Sequence, residues 1–431
     1  MRFLITGATG YIGSSLVGVL LSEGHDLVLA SRTRPGTSRF LSRHEWRFCD
    51  FSKVQSVDWQ SLVQNIDVVI NAVGIFSETK GQRFTDLHDK APRALFKAAR
   101  NAGVRRIIQI SALGTEESAT SAYHLSKKRA DDGLAAMSLD DTELKWVILR
   151  PSLIIGNDGA SWRFFQALAV APLVPVIGDG QQVLQPVAIA DVCKAVLAAL
   201  QRDDAIGQRI NLVGGEQITL RQYLQKLSIW LGTAKFRPVH ISYGAAAILA
   251  RLTPLLGNFP LNKDAINMLK EARTFDKDQC QKILGFTPVG LSEFLAQTPA
   301  TRAQRTEARQ VFLRPLLRIS LAFMWIMAGV ASLFLTPHAQ SLALLEKLGL
   351  PGLSGTIALY AAAILDMALG LALLARFHIR PVALVQIVLI AIYTLALTIV
   401  ASTLWSDPFG VLVKNIPLII ATMLMASGQE E

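Results

Sequence analysis

Tyr123 and Lys127 stand four residues apart in the stretch YHLSK (123–127), and on a helix that spacing puts both side chains on one face. A phenol with an ordinary pKa of about 10 is a poor acid–base group at neutral pH. A neighbouring ammonium favours its phenolate, and the phenol can then exchange a proton with a carbonyl or alcohol. The chain has six tyrosines, and one with a lysine four places on also arises by accident. The pair follows an apolar run, RRIIQIS (105–111).

A second cluster opens the chain. TGATGYIG (6–13) places glycines at 7, 10 and 13, directly after an apolar run and before a helical pattern. In that context Gly7 permits a tight turn, Gly10 lets the backbone approach a diphosphate, and Gly13 lets helix and strand pack closely, as a dinucleotide site requires. The free N–H groups of the helix start then meet the anion, which makes Thr9, Tyr11 and Ile12 cofactor neighbours as well. The alternative is a tight turn with no ligand.

The next apolar run ends in SRTR (31–34), where an acidic residue would accept hydrogen bonds from a ribose. Ser31, Arg32 and Arg34 reverse that preference, because a guanidinium makes bidentate bonds to a phosphate and a carboxylate would repel it. The expected cofactor is therefore NADP(H) in preference to NAD(H); the alternative is two arginines solvating a loop. Asp50, at the end of RFCD, could hydrogen-bond an adenine. In NAVG (71–74), the small residues Ala72, Val73 and Gly74 would let the backbone pass close to the cofactor. Both also read as plain strand-end turns.

These residues need a scaffold. Apolar runs at 2–6, 26–31, 46–50, 67–74, 105–111 and 145–151 alternate with helical patterns such as 14–23 and 93–103. Continuous apolar strands between helices imply an α/β fold, a Rossmann-type doubly wound parallel sheet covered on both faces. The three cysteines, Cys49, Cys193 and Cys280, lie far apart without CxxC spacing, so neither a metal site nor a disulfide framework is expected. No stretch of signal-peptide form precedes the glycine turn, which places the N-terminal domain in the cytoplasm.

TGATGYIG, Asp50, NAVG, YHLSK and RPSLIIG (150–156) together resemble the short-chain dehydrogenase/reductase superfamily over about residues 1–300. The likeness is to its extended or atypical branch, which includes sugar-nucleotide epimerases and the reductase-like accessory subunit of respiratory complex I. It implies catalysis by Tyr123, Lys127 and a hydroxyl near the end of the preceding strand, for which Ser111 is the candidate. Lys127 would also hold the nicotinamide ribose, and Pro151 would lie against the cofactor. Where epimerases often place that hydroxyl the chain has Ala112, with Thr115, Ser118 and Ser121 nearby as substitutes. In GDGQQVLQPVAIADV (178–192), Gln185, Val187 and Asp191 match the segment beneath the substrate pocket, and Asp191 reads as a helix cap. Residues 160–300 would supply a substrate region without a recognisable sugar or steroid signature.

Beyond a basic linker (301–315) the composition changes. Residues 311–431 carry eleven charged side chains with a net charge of +1, against +10 for the 431-residue chain. Apolar segments at 316–336, 355–375, 382–404 and 410–427 predict an all-α domain of four transmembrane helices, the last one short. Arginines from 302 to 318, with Arg376 and Arg380, belong on the cytoplasmic side, which puts both termini there in a bacterial inner membrane. That orientation accounts for much of the basic excess without nucleic acid. Asp366 in the second span suggests a polar site or a pair with Lys414, unless Lys414 snorkels to the interface. WIMAG (325–329), LDMALG (365–370) and DPFGVLVKNIP (407–417) resemble the DoxX-like family of four-helix membrane proteins.

The expected function is that of a membrane-anchored oxidoreductase moving hydride to or from a lipophilic carbonyl, alcohol or quinone-like substrate. The alternatives are a non-catalytic cofactor-binding scaffold or redox sensor of a membrane complex, or a nucleotide-sugar epimerase. A homo-oligomer is compatible with each.

Overall fold

The computed structural model describes residues 1–33, 44–137, 143–156, 159–233, 235–256, 261–270, 272–408 and 410–427. The chain divides into two compact units, one built essentially from residues 1–308 and the other from 309 onward.

In the first unit, strand β1 (Arg2–Thr6) feeds the glycine turn and helix α1 (Tyr11–Ser22). β2 (Asp26–Ser31), β3 (Glu45–Phe48) and β4 (Val68–Asn71) follow, then α2 (Ala91–Asn101), β5 (Arg106–Ile110), α3 (Ala122–Met137) and β6 (Lys145–Pro151). A seventh strand, β7 (Gln208–Leu212), completes one parallel sheet in the order β7-β6-β5-β4-β1-β2-β3. The sequence pattern missed β7, since QRINL alternates polar and apolar at the sheet edge, unlike the continuous apolar runs of the central strands.

Strand β1 shows why the runs are continuous. Phe3 and Ile5 pack into one core with Leu16, Leu20 and Val196, while Leu4 packs into the other with Val28, Val69 and Phe96. Successive side chains point to opposite faces, and both faces are covered. Chain direction around the sheet reverses at β1, which lies between β2 and β4. At such a point the flanking connections diverge and leave a crevice beyond the carboxyl ends of the strands.

Helices α4 (Ala160–Ala169), α5 (Ile189–Gln201), α6 (Leu220–Trp230), α7 (Tyr243–Leu256) and α8 (Lys263–Lys270) complete the part used below. A third core joins α4 and α6 through Trp162, Tyr223, Leu224 and Leu227. Asp191 is not the helix cap expected of it. α5 begins two residues earlier, at Ile189, so the Asp191 carboxylate is free to accept from Val289 N–H at 2.9 Å.

The basic stretch 301–315 is helical, as part of α9 (Arg302–Val330). In the second unit α10 (Leu353–Leu374) and α11 (Ile379–Val400) follow. These three helical segments are long and apolar enough to cross a membrane. The fourth expected span differs: α12 (Asn415–Ser427) has 13 residues, because a turn occupies Val411–Lys414. At 1.5 Å per residue it reaches about 20 Å, short of a hydrocarbon core of about 30 Å. Leu353, Ile357, Ile364 and Leu371 on α10, and Leu384, Ile392, Leu395 and Ile399 on α11, face outward and are exposed. An apolar exterior of that extent belongs in lipid, so the protein is a multi-pass membrane protein. Asp366 meets the Tyr393 hydroxyl at 3.2 Å, whereas Lys414 is exposed; the expected pair between them does not form.

Candidate active site

The glycine turn is built by close approach. Gly7 adopts φ +73°, and a Cβ there would stand 2.9 Å from the carbonyl of Ala72, just after β4. A Cβ on Gly13 would lie 2.1 Å from the oxygen of Gly7, so only glycine lets α1 start this near the strand. Gly10 caps α1 with no side-chain hydrogen bond, and the first turn contains no acidic residue. The N–H groups at that helix start are thus presented to an anion, which fits the diphosphate of a dinucleotide.

Next to the turn, three side chains from three strands share one buried chain of bonds. Thr6 Oγ1 donates to Asn71 Oδ1 (2.6 Å), and Asn71 Nδ2 donates to Gln109 Oε1 (2.7 Å). Asn71 Oδ1 also accepts Val73 N–H at 3.3 Å, which shapes the segment Ala72–Gly74. At the other end of the crevice Ser31 is buried and its hydroxyl donates to the Thr33 carbonyl, while Arg32 is exposed. Arg34 lies outside the described residues. Asp50 Oδ1 accepts from Ser52 N–H at 3.0 Å and from Ser52 Oγ at 2.7 Å, capping the short helix Phe51–Ser56.

A cavity of about 810 Å3 opens over the carboxyl ends of the strands. Gly10, Tyr11 and Ile12 line it after β1, Ala72–Phe76 after β4, Ser111–Gly114 after β5, and Pro151–Ile154 after β6. Tyr123 and Lys127 reach the same space from α3. The structure thus brings these residues together around one space; Gly7, Gly13 and Thr9 support the turn beneath it, and Ser31, Arg32 and Asp50 lie outside its lining.

Tyr123 is held in an aromatic surround, with Phe76, Phe84, His88 and His124 ring centroids 5.3–5.8 Å from its own. The Lys127 ammonium sits 5.9 Å from the Tyr123 ring centroid and donates to the Ile110 carbonyl at 3.3 Å. Burial pushes the Tyr123 phenol above its ordinary range, against the lowering expected from Lys127. Burial likewise pulls Lys127 down to about 8, with the charge of Asp131 acting in the opposite direction. Ser111 Oγ donates to Asp131 Oδ2 at 2.7 Å. Of the other hydroxyls, Thr115 bonds to the Ala112 carbonyl (2.9 Å) and Asp131 (3.2 Å), Ser121 to His124, and Ser118 lines the cavity.

Sequence reasoning missed His88 and Asp131. His88 Nε2 accepts Ile75 N–H at 3.0 Å, and its Nδ1 meets Ser126 Oγ at 3.0 Å, which in turn donates to the Tyr123 carbonyl at 2.8 Å. That chain ties the segment after β4 to the helix carrying Tyr123. It requires neutral His88 with the proton on Nδ1, and burial together with the Lys127 charge lowers the His88 pKa. Asp131 had one sequence signal, its place four residues beyond Lys127.

The far side of the cavity is apolar. Phe164, Phe165 and Leu168 come from α4, Leu220 and Leu224 from α6, and Ala265, Met268 and Leu269 from α8. Gln185 secures this wall by exchanging two bonds with the Phe275 backbone, 2.8 and 3.1 Å. Lys127 and Arg273 are the only Lys or Arg among its described lining residues, and Arg273 bonds to Glu116 and Ser118.

Residues 3–214 match the model of the NAD dependent epimerase/dehydratase family, and residues 322–423 match that of the DoxX-like family. The chain is 28% identical over 236 residues to NADH dehydrogenase (ubiquinone) 1 alpha subcomplex subunit 9, mitochondrial, of Mus musculus, a match covering 50% of this chain and 57% of that one. It is 30% identical over 187 residues to the ceramide reductase of Caulobacter vibrioides, covering 42% of this chain and 55% of the relative. The chain thus spans little more than half the length of these two relatives. A UDP-glucuronic acid 4-epimerase from Bacillus cereus, solved with UDP-glucuronic acid and NAD, superimposes with a TM-score of 0.53 at 22% identity, covering 72% of this chain and 100% of that one; this likeness is one of fold. The chain accordingly joins an NAD-dependent epimerase/dehydratase domain, of the extended short-chain dehydrogenase/reductase type, to a DoxX-like membrane domain.

Proposed function

We propose that the protein is a membrane-anchored NADP(H)-dependent oxidoreductase acting on a lipophilic carbonyl, alcohol or quinone-like substrate. In this reading residues 1–300 hold the cofactor and substrate, 301–315 form a basic connection, and 316–427 anchor the chain in a bacterial inner membrane. The observation that carries it is the cavity, where the Tyr123 and Lys127 end faces a wall of Phe164, Phe165, Leu168, Met268 and Leu269. Such a wall favours an aliphatic or aromatic body by roughly 25 cal/mol per Å2 of apolar surface buried. A nucleotide sugar brings a diphosphate that wants several cationic donors, and beyond Lys127 the described lining offers one, Arg273, already bonded to Glu116 and Ser118.

The turn from Gly7 to Gly13 would hold the diphosphate, Arg32 and Arg34 the 2′-phosphate, Asp50 the adenine, and Ala72–Gly74 with Pro151 the remaining length of the cofactor. Bound there, the nicotinamide supplies or accepts the hydride. Tyr123 moves the proton at its hydroxyl to or from the substrate oxygen, Lys127 lowers the cost of the phenolate and binds the ribose, and Ser111 polarises the carbonyl. For that last role the Ser111 hydroxyl must rotate away from Asp131, which accepts it at 2.7 Å. The same bond favours a second reading, a cofactor-binding scaffold without turnover, as does the likeness to a subunit of NADH dehydrogenase.

The two readings separate by experiment. The full chain in detergent or nanodiscs is assayed for NADPH oxidation with short- and long-chain aldehydes, ketones and quinones. The enzymatic reading expects turnover that rises with chain length and falls by about 100-fold or more in Tyr123→Phe, the scale of lost acid–base catalysis. NADPH binding without turnover by the wild type would favour the scaffold.

A further inference from the structure

Tyr123, Lys127 and Asp131 follow one another at spacing four on α3 and so share one face. The first two open into the cavity, and the third lies behind them, fully buried at 0% exposure. A carboxylate removed from water needs compensation, and Asp131 receives it unevenly. Its Oδ2 accepts Ser111 Oγ at 2.7 Å, Thr115 Oγ1 at 3.2 Å, and both Nε and Nη2 of Arg150 at 3.4 Å. Its Oδ1 has no hydrogen-bond partner. Arg150 does not grip both oxygens at 2.7–2.9 Å, the geometry of a tight arginine–carboxylate pair.

The charges around this carboxylate come from three elements. Arg150 stands on β6, Lys127 on the same helix as Asp131, and Arg209 on β7, where it is paired with Asp132 at 2.7 Å. Lys127 is 5% exposed and donates to one backbone carbonyl, and no carboxylate among the described residues lies within ion-pair distance of it. Of the titratable groups that face it, Tyr123 and His88 are uncharged at neutral pH, and Asp131, one turn behind, supplies the negative charge.

We propose that Asp131 is a positioning residue of the site: its charge keeps Lys127 protonated where the cofactor and substrate meet, and its Oδ2 fixes the rotamer of Ser111. The proposal deepens the oxidoreductase reading and rests on Lys127 being the ammonium of that site. Burial already brings Lys127 down to about 8, and Asp131 opposes that loss. Removing the carboxylate leaves Arg150 uncompensated as well, so both changes drive the lysine in the same direction.

The test reads Lys127 itself. The full chain in detergent, carrying Lys128→Arg so that one lysine reports on the peptide, is pulsed with acetic anhydride at pH values from 6 to 10. Lys127 acetylation is then quantified by mass spectrometry. The midpoint is expected near 8 in the parent and lower by about one unit or more in Asp131→Asn and in Asp131→Ser, whose smaller side chain eases any packing strain. Asp131→Glu, which keeps the charge, should hold the parental midpoint. A purely structural Asp131 would lower thermal stability in these variants and leave the midpoint where it was, and equal midpoints in folded Asn and Ser variants overturn the proposal. NADPH titration of the same samples isolates the other failure: a parent that binds no dinucleotide sinks the oxidoreductase reading, whatever the labelling shows.

Discussion

At the scale of single residues, the site depends on how burial and charge are balanced. Arg32 is exposed and follows the buried Ser31, so it can swing toward a 2′-phosphate without disturbing the sheet. A charge-assisted bond of this kind contributes about 1.5–3 kcal/mol, so Arg32→Ala is expected to weaken NADPH binding by about 10- to 100-fold and leave NADH binding almost unchanged. Calorimetry with both cofactors checks this, and an equal effect on the two would remove Arg32 from cofactor selection. His88 gives a prediction about pH. Its folded-state pKa is depressed by burial, whereas the unfolded chain takes up a proton near pH 6.5. The stability it contributes is therefore complete above about 6.5 and is lost as pH falls below it, by about 1.4 kcal/mol per unit. Thermal midpoints at pH 7.5 and 5.5 should differ more for the wild type than for His88→Gln, which keeps a side-chain acceptor for Ile75 N–H but has no titrating group.

At the scale of elements, what could be read from the sequence was whatever a local pattern encodes. Glycines at 7, 10 and 13 and the Tyr123–Lys127 spacing each lie within one turn or one helix, so their geometry follows from counting residues. The runs that became β1, β2, β4, β5 and β6 were legible because both faces of those strands are largely buried; β3, at the sheet edge with Glu45 and Phe48 exposed, was legible by its position in the strand–helix alternation. β7 was not, because Gln208, Arg209 and Asn211 face outward or toward partners that sequence does not reveal; Asn211 N–H, for one, bonds to Gln279 at 3.0 Å. The same limit hid the chain Thr6–Asn71–Gln109 and the roles of His88 and Asp131, whose partners lie on other elements. It also misassigned Asp191, whose carboxylate holds Val289, nearly a hundred residues away. The glycine turn gives the element-scale prediction. Gly13→Ala puts a Cβ 2.1 Å from the Gly7 oxygen, so α1 must shift from β1, at a cost of about 1–3 kcal/mol if it behaves as an overpacked core. Nucleotide affinity should fall together with thermal stability, whereas Arg32→Ala should affect affinity alone; a Gly13→Ala protein with parental stability and NADPH binding would show that close packing at this turn is dispensable.

At the scale of the whole molecule, the open question is how many times the chain crosses the bilayer. α10 and α11 span comfortably at 22 residues each, and α9 continues through Leu335 as a segment of 34. Within this unit the helices are fitted by small residues: a Cβ on Gly329 would lie 2.5 Å from the Ala363 carbonyl, and one on Gly370 2.8 Å from that of Ala322. Close backbone contact of this kind associates helices in lipid, where the hydrophobic effect does not. α12 is too short to cross alone, yet it packs against the others through Leu418 and Met425, and Asn415 donates to Thr394 on α11 at 2.8 Å. A 13-residue helix held in this way crosses if the turn before it supplies the missing length from within the protein. By the positive-inside rule, Arg376 between α10 and α11 and Arg380 in the first turn of α11 predict a cytoplasmic loop there, and His338–Lys347 between α9 and α10 is then predicted on the opposite side. Ser427 then reports on α12. Single cysteines in a cysteine-free background, Gln340→Cys, His378→Cys and Ser427→Cys, should react with an impermeant maleimide in intact cells at 340 alone if α12 crosses. Labelling at both 340 and 427 would mean three crossings, with α12 lying at the outer face. Labelling at 378 would invert the topology, and a nicotinamide-dependent enzyme facing away from the cytoplasmic cofactor pool would then be untenable.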